Sequence, residues 1–152
     1  MIYSVMIISK NGVLRFIKCY CAEDVNVKSI SSSVFNTINE SKDTLIIYDF
    51  PFNDKTTKIC YRTFGSIYIA MIVDDMENEL AILDYINVLM RAMNEVFTGV
   101  CEMHVIMNPE KVYLLFDEAI SAGMVIETDV STIVKNYKDK LIEDDNYKYF
   151  KN

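Results

Sequence analysis

The chain has 152 residues, of which 51% are hydrophobic and 24% are charged. This length is typical of one domain, and the apolar content is too high for a disordered chain. Fifteen basic residues against 22 acidic residues give a formal net charge of −7, which argues against a nucleic-acid-binding protein.

The N-terminus and the cysteines indicate a compartment. No run of about 18 uncharged apolar residues occurs, so no transmembrane helix is predicted. The apolar start lacks a leading positive charge and a small-residue cleavage site, so we predict no signal peptide and a cytoplasmic protein. Without a CxxC pair, the cysteines are expected to be reduced, buried side chains; they are Cys19, Cys21, Cys60 and Cys101.

The first 40 residues predict two strands and a helix. Residues 2–8 and 13–20 are rich in β-forming side chains, and the Asn-Gly pair at 11–12 is a strong hairpin signal because both residues tolerate positive φ. A helix is expected to open at residues 22–24 and to carry one apolar stripe. The stripe consists of Val27, Ile30, Val34 and Ile38.

Three further strands and a long helix are predicted next. An acidic capping box that begins at Asp74 is expected to open the helix, and Gly99 to end it. The apolar face of this helix exceeds half the circumference, which predicts that it is covered on most sides; it includes Leu80, Leu83, Ile86, Met90, Met93 and Phe97. The strands are predicted at residues 44–50, 56–62 and 67–73, with turns at 51–55 and 65–66.

The remainder is predicted to be helical, with one helix from Pro109 to Ala122 and a last one that ends near Leu141. Three consecutive strands need only hairpins, and helices must then cover the sheet. We therefore predict an α+β fold with a five-stranded antiparallel sheet flanked by helices and a helical C-terminal half. One domain is expected over residues 1–142, followed by a charged tail at 143–152.

The sequence offers little to any kind of active site. Its four glycines form no phosphate-binding loop, and His104 is the only histidine on which a nucleophilic mechanism could rest. The acidic cluster at residues 74–79 is explained by a helix start. We expect no enzyme, no metal and no cofactor. Nine methionines favour adaptable core packing, with a malleable apolar groove for peptides as the alternative.

Six segments, in order along the chain, resemble the small (sigma) chains of clathrin adaptor complexes. Residues 59–68 (ICYRTFGSIY) resemble the family's IIYRRYAxLYF, and residues 73–81 (VDDMENELA) its VD…ENELA. Residues 95–103 (EVFTGVCEM) resemble EYFxxVCELD, while KVY at 111–113 and AGMVIET at 122–128 resemble KVYxxLDE and AGxxxET. The opening residues, including Arg15, fit the family's start, so the resemblance covers roughly residues 1–135.

This resemblance implies the longin-like fold and a non-catalytic role. The chain would be the small subunit of a heterotetramer, packed on a large subunit beside a medium and a second large subunit. Such a complex selects cargo for vesicles. It would be peripheral on trans-Golgi, endosomal or coated-pit membranes, with membrane and clathrin contacted only through the complex.

The resemblance also implies a site for acidic dileucine signals, [DE]xxxL[LI], in the cytosolic tails of cargo. Arg15 would contribute to a basic patch made jointly with the large subunit. The apolar pockets for the two leucines would be formed by Gly65, Ile67, Met90, Val100 and Met103. Without the family, Ile67, Met90 and Val100 are interpreted as ordinary core residues, and Arg15 as a solvated strand residue.

Two other interpretations stay open at this point. One is the zeta-type small chain of coatomer, a related longin-like subunit for which the dileucine site is not implied. The other is a free-standing longin-like regulatory module. The VCE and KVY segments favour the sigma chains over the zeta chains.

Overall fold

The computed structural model describes residues 1–41 and 44–150. The strands are β1 (Ile2–Ser9), β2 (Leu14–Cys19), β3 (Ile46–Phe52), β4 (Lys55–Phe64), β5 (Ile67–Asp74), β6 (Ile120–Ser121) and β7 (Met124–Val125). The helices are α1 (Val27–Glu40), α2 (Glu79–Phe97), α3 (Glu102–Met107), α4 (Pro109–Asp117) and α5 (Val130–Phe150).

Within the described residues, five strands form one antiparallel sheet in the order β2-β1-β5-β4-β3. The predicted α+β fold with a five-stranded antiparallel sheet is confirmed. All eight residues of β1 are buried, because this inner strand is covered on both faces. The strands β6 and β7 pair as a separate small hairpin.

Helices cover both faces of the sheet, and alternate side chains of β1 divide the core between them. Met6 and Ile8 belong to a cluster with Val34 and Ile38 of α1. Their neighbours in β1 belong to a larger cluster formed with α2, α3, α4 and α5. The site described below lies on the side of this larger cluster.

The predicted hairpins form, with differences in their turns. Gly12 has a φ of +88°, and a Cβ there would lie 2.8 Å from the Phe35 ring, so a glycine is required. The turn predicted at residues 51–55 is shorter, because Pro51 continues the edge strand β3, where its missing N–H is tolerated. Only Asn53 and Asp54 form the turn, both at positive φ.

Two helices begin later than predicted. The side chain of Asn26 caps α1 by accepting the N–H of Ser29, and Asn78 caps α2 by accepting the N–H of Ala81. The acidic residues that were expected to open these helices lie in the preceding segments. Leu80, which was assigned to the apolar face of α2, is 70% exposed.

The end of the predicted Pro109–Ala122 helix is wrong. Helix α4 ends at Asp117, and the next residues form the β6–β7 hairpin, with Ala122 and Gly123 at positive φ. The side chain of Asp129 caps the final helix by accepting the N–H of Thr132, and the helix runs to residue 150, beyond the predicted end near Leu141. It includes most of the predicted charged tail; residues 151–152 lie outside the described part.

The expected burial of cysteines and methionines is only partly right. Cys60 is buried, but Cys101 is exposed. Met93 lies in the core, whereas Met103 and Met107 of α3 are exposed by 59% and 68%. The exposed methionines do not fill the core, which leaves an apolar surface on α3.

Candidate functional site

Arg15 is the extra residue of a β-bulge in β2. Ile7 pairs with Phe16 and Ile8 pairs with Leu14, so Arg15 has no partner in β1. A bulge interrupts the alternation of side chains between the two faces and can redirect one of them. Leu14 packs with the α1 cluster and Phe16 with the opposite one, and the Arg15 side chain reaches α3 on the side of Phe16.

The carboxylate of Glu102, at the start of α3, joins three parts of the chain. The Nε–H of Arg15 donates to its Oε1 at 2.8 Å, and the hydroxyl of Ser66, in the β4–β5 turn, donates to its Oε2 at 3.3 Å. The backbone N–H of Lys10, in the β1–β2 hairpin, donates to the carbonyl of Ser66 at 2.9 Å. The β1–β2 hairpin, the β4–β5 turn and α3 therefore meet at this point.

Four of the five predicted apolar residues flank these contacts in sequence. Gly65 and Ile67 adjoin Ser66, while Val100 and Met103 lie within two residues of Glu102. Because Arg15 and Ser66 both contact Glu102, the two segments that carry these four residues lie beside Arg15. Gly65 is exposed at a φ of +56°, with no atom within 4 Å of the place where a Cβ would lie, so the turn leaves open space there.

The apolar residues differ in their exposure. Ile67 is 2% exposed and lies behind the surface, whereas Met103 is 59% exposed. Val100 and Met90 are half-buried and pack against the core cluster that contains Ile67. Met90 shares this cluster, but the contacts at Glu102 do not include it. A ligand would therefore first meet Met103, Val100 and Gly65.

A concavity of about 420 Å³ lies beside Arg15, and sequence analysis did not identify it. It lies between strand β2 and helix α4, and its lining is mainly apolar with two charged residues. The concavity is lined by Leu14, Arg15, Phe16, Ile17, Pro109, Glu110 and Tyr113. It contains Arg15 but none of the five predicted apolar residues, so it adjoins the predicted site along β2 and lies outside its apolar pocket.

The next basic residue of β2 is held inside the protein. The ammonium of Lys18 pairs with Asp117 and lies 4.2 Å from the centroid of the Tyr113 ring. Its side chain is only 8% exposed. The charge of Lys18 therefore stabilises the packing of β2 on α4 and does not add to a basic surface around Arg15.

The histidine of α3 has a structural explanation. The Nδ1 of His104 accepts the N–H of Cys101 at 3.1 Å, and this contact caps the start of α3. The same Nδ1 lies 3.5 Å from the Sγ of Cys101. Its ring stacks on Phe97 at 5.5 Å between centroids.

Among the described residues, no three His, Cys, Asp or Glu side chains are placed to hold a metal ion. Among the helices that the structure describes, none is long and apolar enough to cross a membrane.

Glu102 is the residue of this site that sequence analysis missed. It is separated from Arg15 by 87 positions, and no local pattern pairs residues at that distance. The available signal was its place in the VCEM segment, directly before Met103. A pairing with Arg15 required the three-dimensional structure.

The chain is similar to sigma subunits of several adaptor complexes. It is 31% identical over 144 residues to the AP-3 complex subunit sigma of Dictyostelium discoideum, a match that spans 91% of this chain and 84% of that protein. It is 30% identical over 141 residues to the AP-1 complex subunit sigma-3 of Mus musculus, across 91% of this chain and 89% of the relative. Relatives of both complexes thus match over most of their length.

A structural comparison agrees with these matches. The fold superposes on a chain in a homology model of the full-length AP-3 complex in a stretched open conformation, with a TM-score of 0.71 and 28% identity. The match covers 97% of this chain and 99% of the other. Residues 1–142 match the family model described as clathrin adaptor complex small chain. The chain is therefore a member of the clathrin adaptor complex small chain family.

Proposed function

We propose that this chain, a small subunit of a vesicle-transport adaptor complex, packs on a large subunit of a heterotetramer and helps to bind acidic dileucine signals in cargo tails. The observation that carries the proposal is the meeting of Arg15 with the β4–β5 turn and α3 through Glu102. One place on the surface thus combines a guanidinium with apolar residues, as a signal of one acidic residue and two leucines requires.

The exposed apolar residues can supply most of the binding energy. Burial of a leucine side chain contributes about 1.5–3 kcal/mol. Met103 offers an exposed thioether, and methionine repacks easily around different ligands. The partly exposed Arg15 contributes less energy and more selection for charge.

The other parts of the proposal follow from the family. The chain is proposed to be non-catalytic, with a medium subunit and a second large subunit in the same assembly. Its place in the cell would be cytoplasmic and peripheral, on trans-Golgi, endosomal or coated-pit membranes. Contact with the membrane and with clathrin would come through the other subunits.

Affinity capture of the tagged chain from its own cells tests the assembly. Two large subunits and one medium chain are expected to co-purify, and their identity names the complex. Recovery of coatomer would instead favour the zeta-type interpretation and remove the dileucine assignment. Recovery without any large partner would favour a free-standing module.

A peptide titration of the captured complex tests the site. Val100→Ser and Met103→Ser are each expected to weaken binding of an ExxxLL peptide about tenfold, because each removes apolar contact with a leucine. Met107→Ser is the matched control, since Met107 is an exposed methionine of the same helix outside the proposed pocket. Unchanged affinity in the Val100 and Met103 variants would refute the pocket.

A further inference from the structure

We propose that Glu102 is a specificity-determining residue of this site, because its carboxylate occupies Arg15 and competes with the acidic residue of an incoming signal. This inference rests on the proposed function of the site. It adds an internal competitor: the chain presents to its own arginine the same chemical group that the signal presents.

The geometry fits an occupied recognition site. The 2.8 Å distance between Arg15 Nε and Glu102 Oε1 is that of a charge-assisted hydrogen bond. A guanidinium binds a carboxylate best through two parallel N–H donors. Glu102 engages Nε, so the fork that includes this donor is not free for a second carboxylate.

The contact is accessible to a competitor. The Arg15 and Glu102 side chains keep 28% and 25% of their surface exposed, so a peptide carboxylate can approach without unfolding the core. Ser66 holds the other oxygen of Glu102 at 3.3 Å. This second hydrogen bond favours the arrangement in which Glu102 stays on Arg15. It also couples the release of Glu102 to the turn that carries Gly65.

Charge makes the two carboxylates competitors. If Glu102 stayed on Arg15, the signal would bring a second carboxylate to one guanidinium. Two carboxylates that contact the same guanidinium lie close together, and their like charges repel each other. An acidic signal residue would therefore bind Arg15 best after it displaces Glu102, whereas the leucines need no such exchange.

The test uses the complex captured through the tagged chain and two labelled peptides, ExxxLL and QxxxLL, titrated by fluorescence anisotropy. Glu102→Gln is expected to tighten binding of ExxxLL about fivefold, which corresponds to about 1 kcal/mol, and to change binding of QxxxLL less than twofold. Ser66→Ala, which removes only the second hydrogen bond, is expected to tighten ExxxLL about twofold.

Glu110→Gln is the matched control. It removes an equal charge from the wall of the concavity beside Arg15, but Glu110 makes no hydrogen bond to Arg15 within the described residues. Its effect on ExxxLL is expected to stay below twofold. An effect as large as that of Glu102→Gln would assign the gain to general electrostatics and overturn the proposal.

The outcomes separate this inference from the proposed function. If the wild-type complex binds ExxxLL but Glu102→Gln binds it equally or more weakly, Glu102 does not compete and only the inference fails. An equal gain for both peptides also overturns it. If neither complex binds either peptide, both proposals fail. If Glu102→Gln does not assemble, the absence of any gain in Ser66→Ala overturns the inference.

Discussion

Gly123 connects the β6–β7 hairpin to the first strand, and its replacement by alanine is expected to destabilise the fold strongly. The carbonyl of Gly123 accepts the N–H of Ile2 at 2.8 Å. A Cβ on Gly123 would lie 2.5 Å from the carbonyl oxygen of Ile2. Backbone atoms would have to move, because no side-chain rotation relieves this contact.

Two costs add in Gly123→Ala. Residue 123 has a φ of +78°, and a side chain in the left-handed region costs about 1–2 kcal/mol. Moving the hairpin away from β1 also leaves the N–H of Ile2, a buried residue, without its partner, at about 1–3 kcal/mol. We therefore expect a loss of about 2–5 kcal/mol in the free energy of unfolding.

Gly99→Ala is the matched control for the conformational cost alone. Gly99 has a φ of +90°, but no atom lies within 4 Å of the place where its Cβ would be. Urea denaturation of the two variants is expected to show a larger loss for Gly123→Ala, by about 1–3 kcal/mol. Equal losses in both variants would show that the contact with Ile2 does not constrain residue 123.

Three further predictions concern buried polar groups. Asp117→Ala leaves the 8%-exposed Lys18 without its counterion and is expected to cost about 1–3 kcal/mol in urea denaturation. Adding Lys18→Met should restore part of this loss, and no recovery would contradict the prediction. Tyr85→Phe removes a hydroxyl that donates to the carbonyl of Ala119 at 2.7 Å, and calorimetry is expected to show a loss of about 1–2 kcal/mol in the free energy of unfolding. An unchanged free energy of unfolding would contradict this prediction. Burial raises the pKa of the Cys60 thiol from 9.0 to about 11. Because the unfolded chain releases this proton at lower pH than the folded chain, the free energy of unfolding is expected to fall by about 2 kcal/mol between pH 9 and 11. Cys60→Ala should flatten that part of the pH profile, and an unaltered slope would refute the assignment.

The sheet was predictable because its signals are local. Alternating and continuous apolar runs placed all five strands, and turn residues placed the hairpins between them. Helix starts were less predictable, because several residues before each helix can accept a backbone N–H. Asp74 and Asn78 both have suitable side chains, and Asn78 is the cap because β5 extends through Asp74.

The end of α4 shows a second limit. Residues 118–122 have no glycine or proline that would stop a helix. The β6–β7 hairpin forms there because Gly123 bonds to Ile2 and because the Tyr85 hydroxyl reaches the carbonyl of Ala119. Both partners are distant in sequence, so tertiary contacts override the local helical pattern.

The candidate site also combines features that the sequence predicts with features that it does not. The family resemblance selected Arg15 and the apolar residues, and in the structure the segments that carry most of them meet at the Glu102 carboxylate. The bulge that gives Arg15 its direction depends on the register of β1 against β2. A pattern of residue types in one strand does not determine that register, so neither the bulge nor the Glu102 contact could be predicted.

The charges around Arg15 bear on the proposed basic patch, which would be made jointly with a large subunit. Glu102 pairs with Arg15, and Glu110 lines the same concavity. Lys18, the next basic residue of β2, is bound to Asp117. Arg15 and the exposed Lys10 of the neighbouring hairpin are thus offset by two carboxylates, so the described residues around Arg15 present little net positive charge to an acidic signal. Selection of the acidic residue would then require cations from the large subunit, and binding should be weaker for the isolated chain than for the complex.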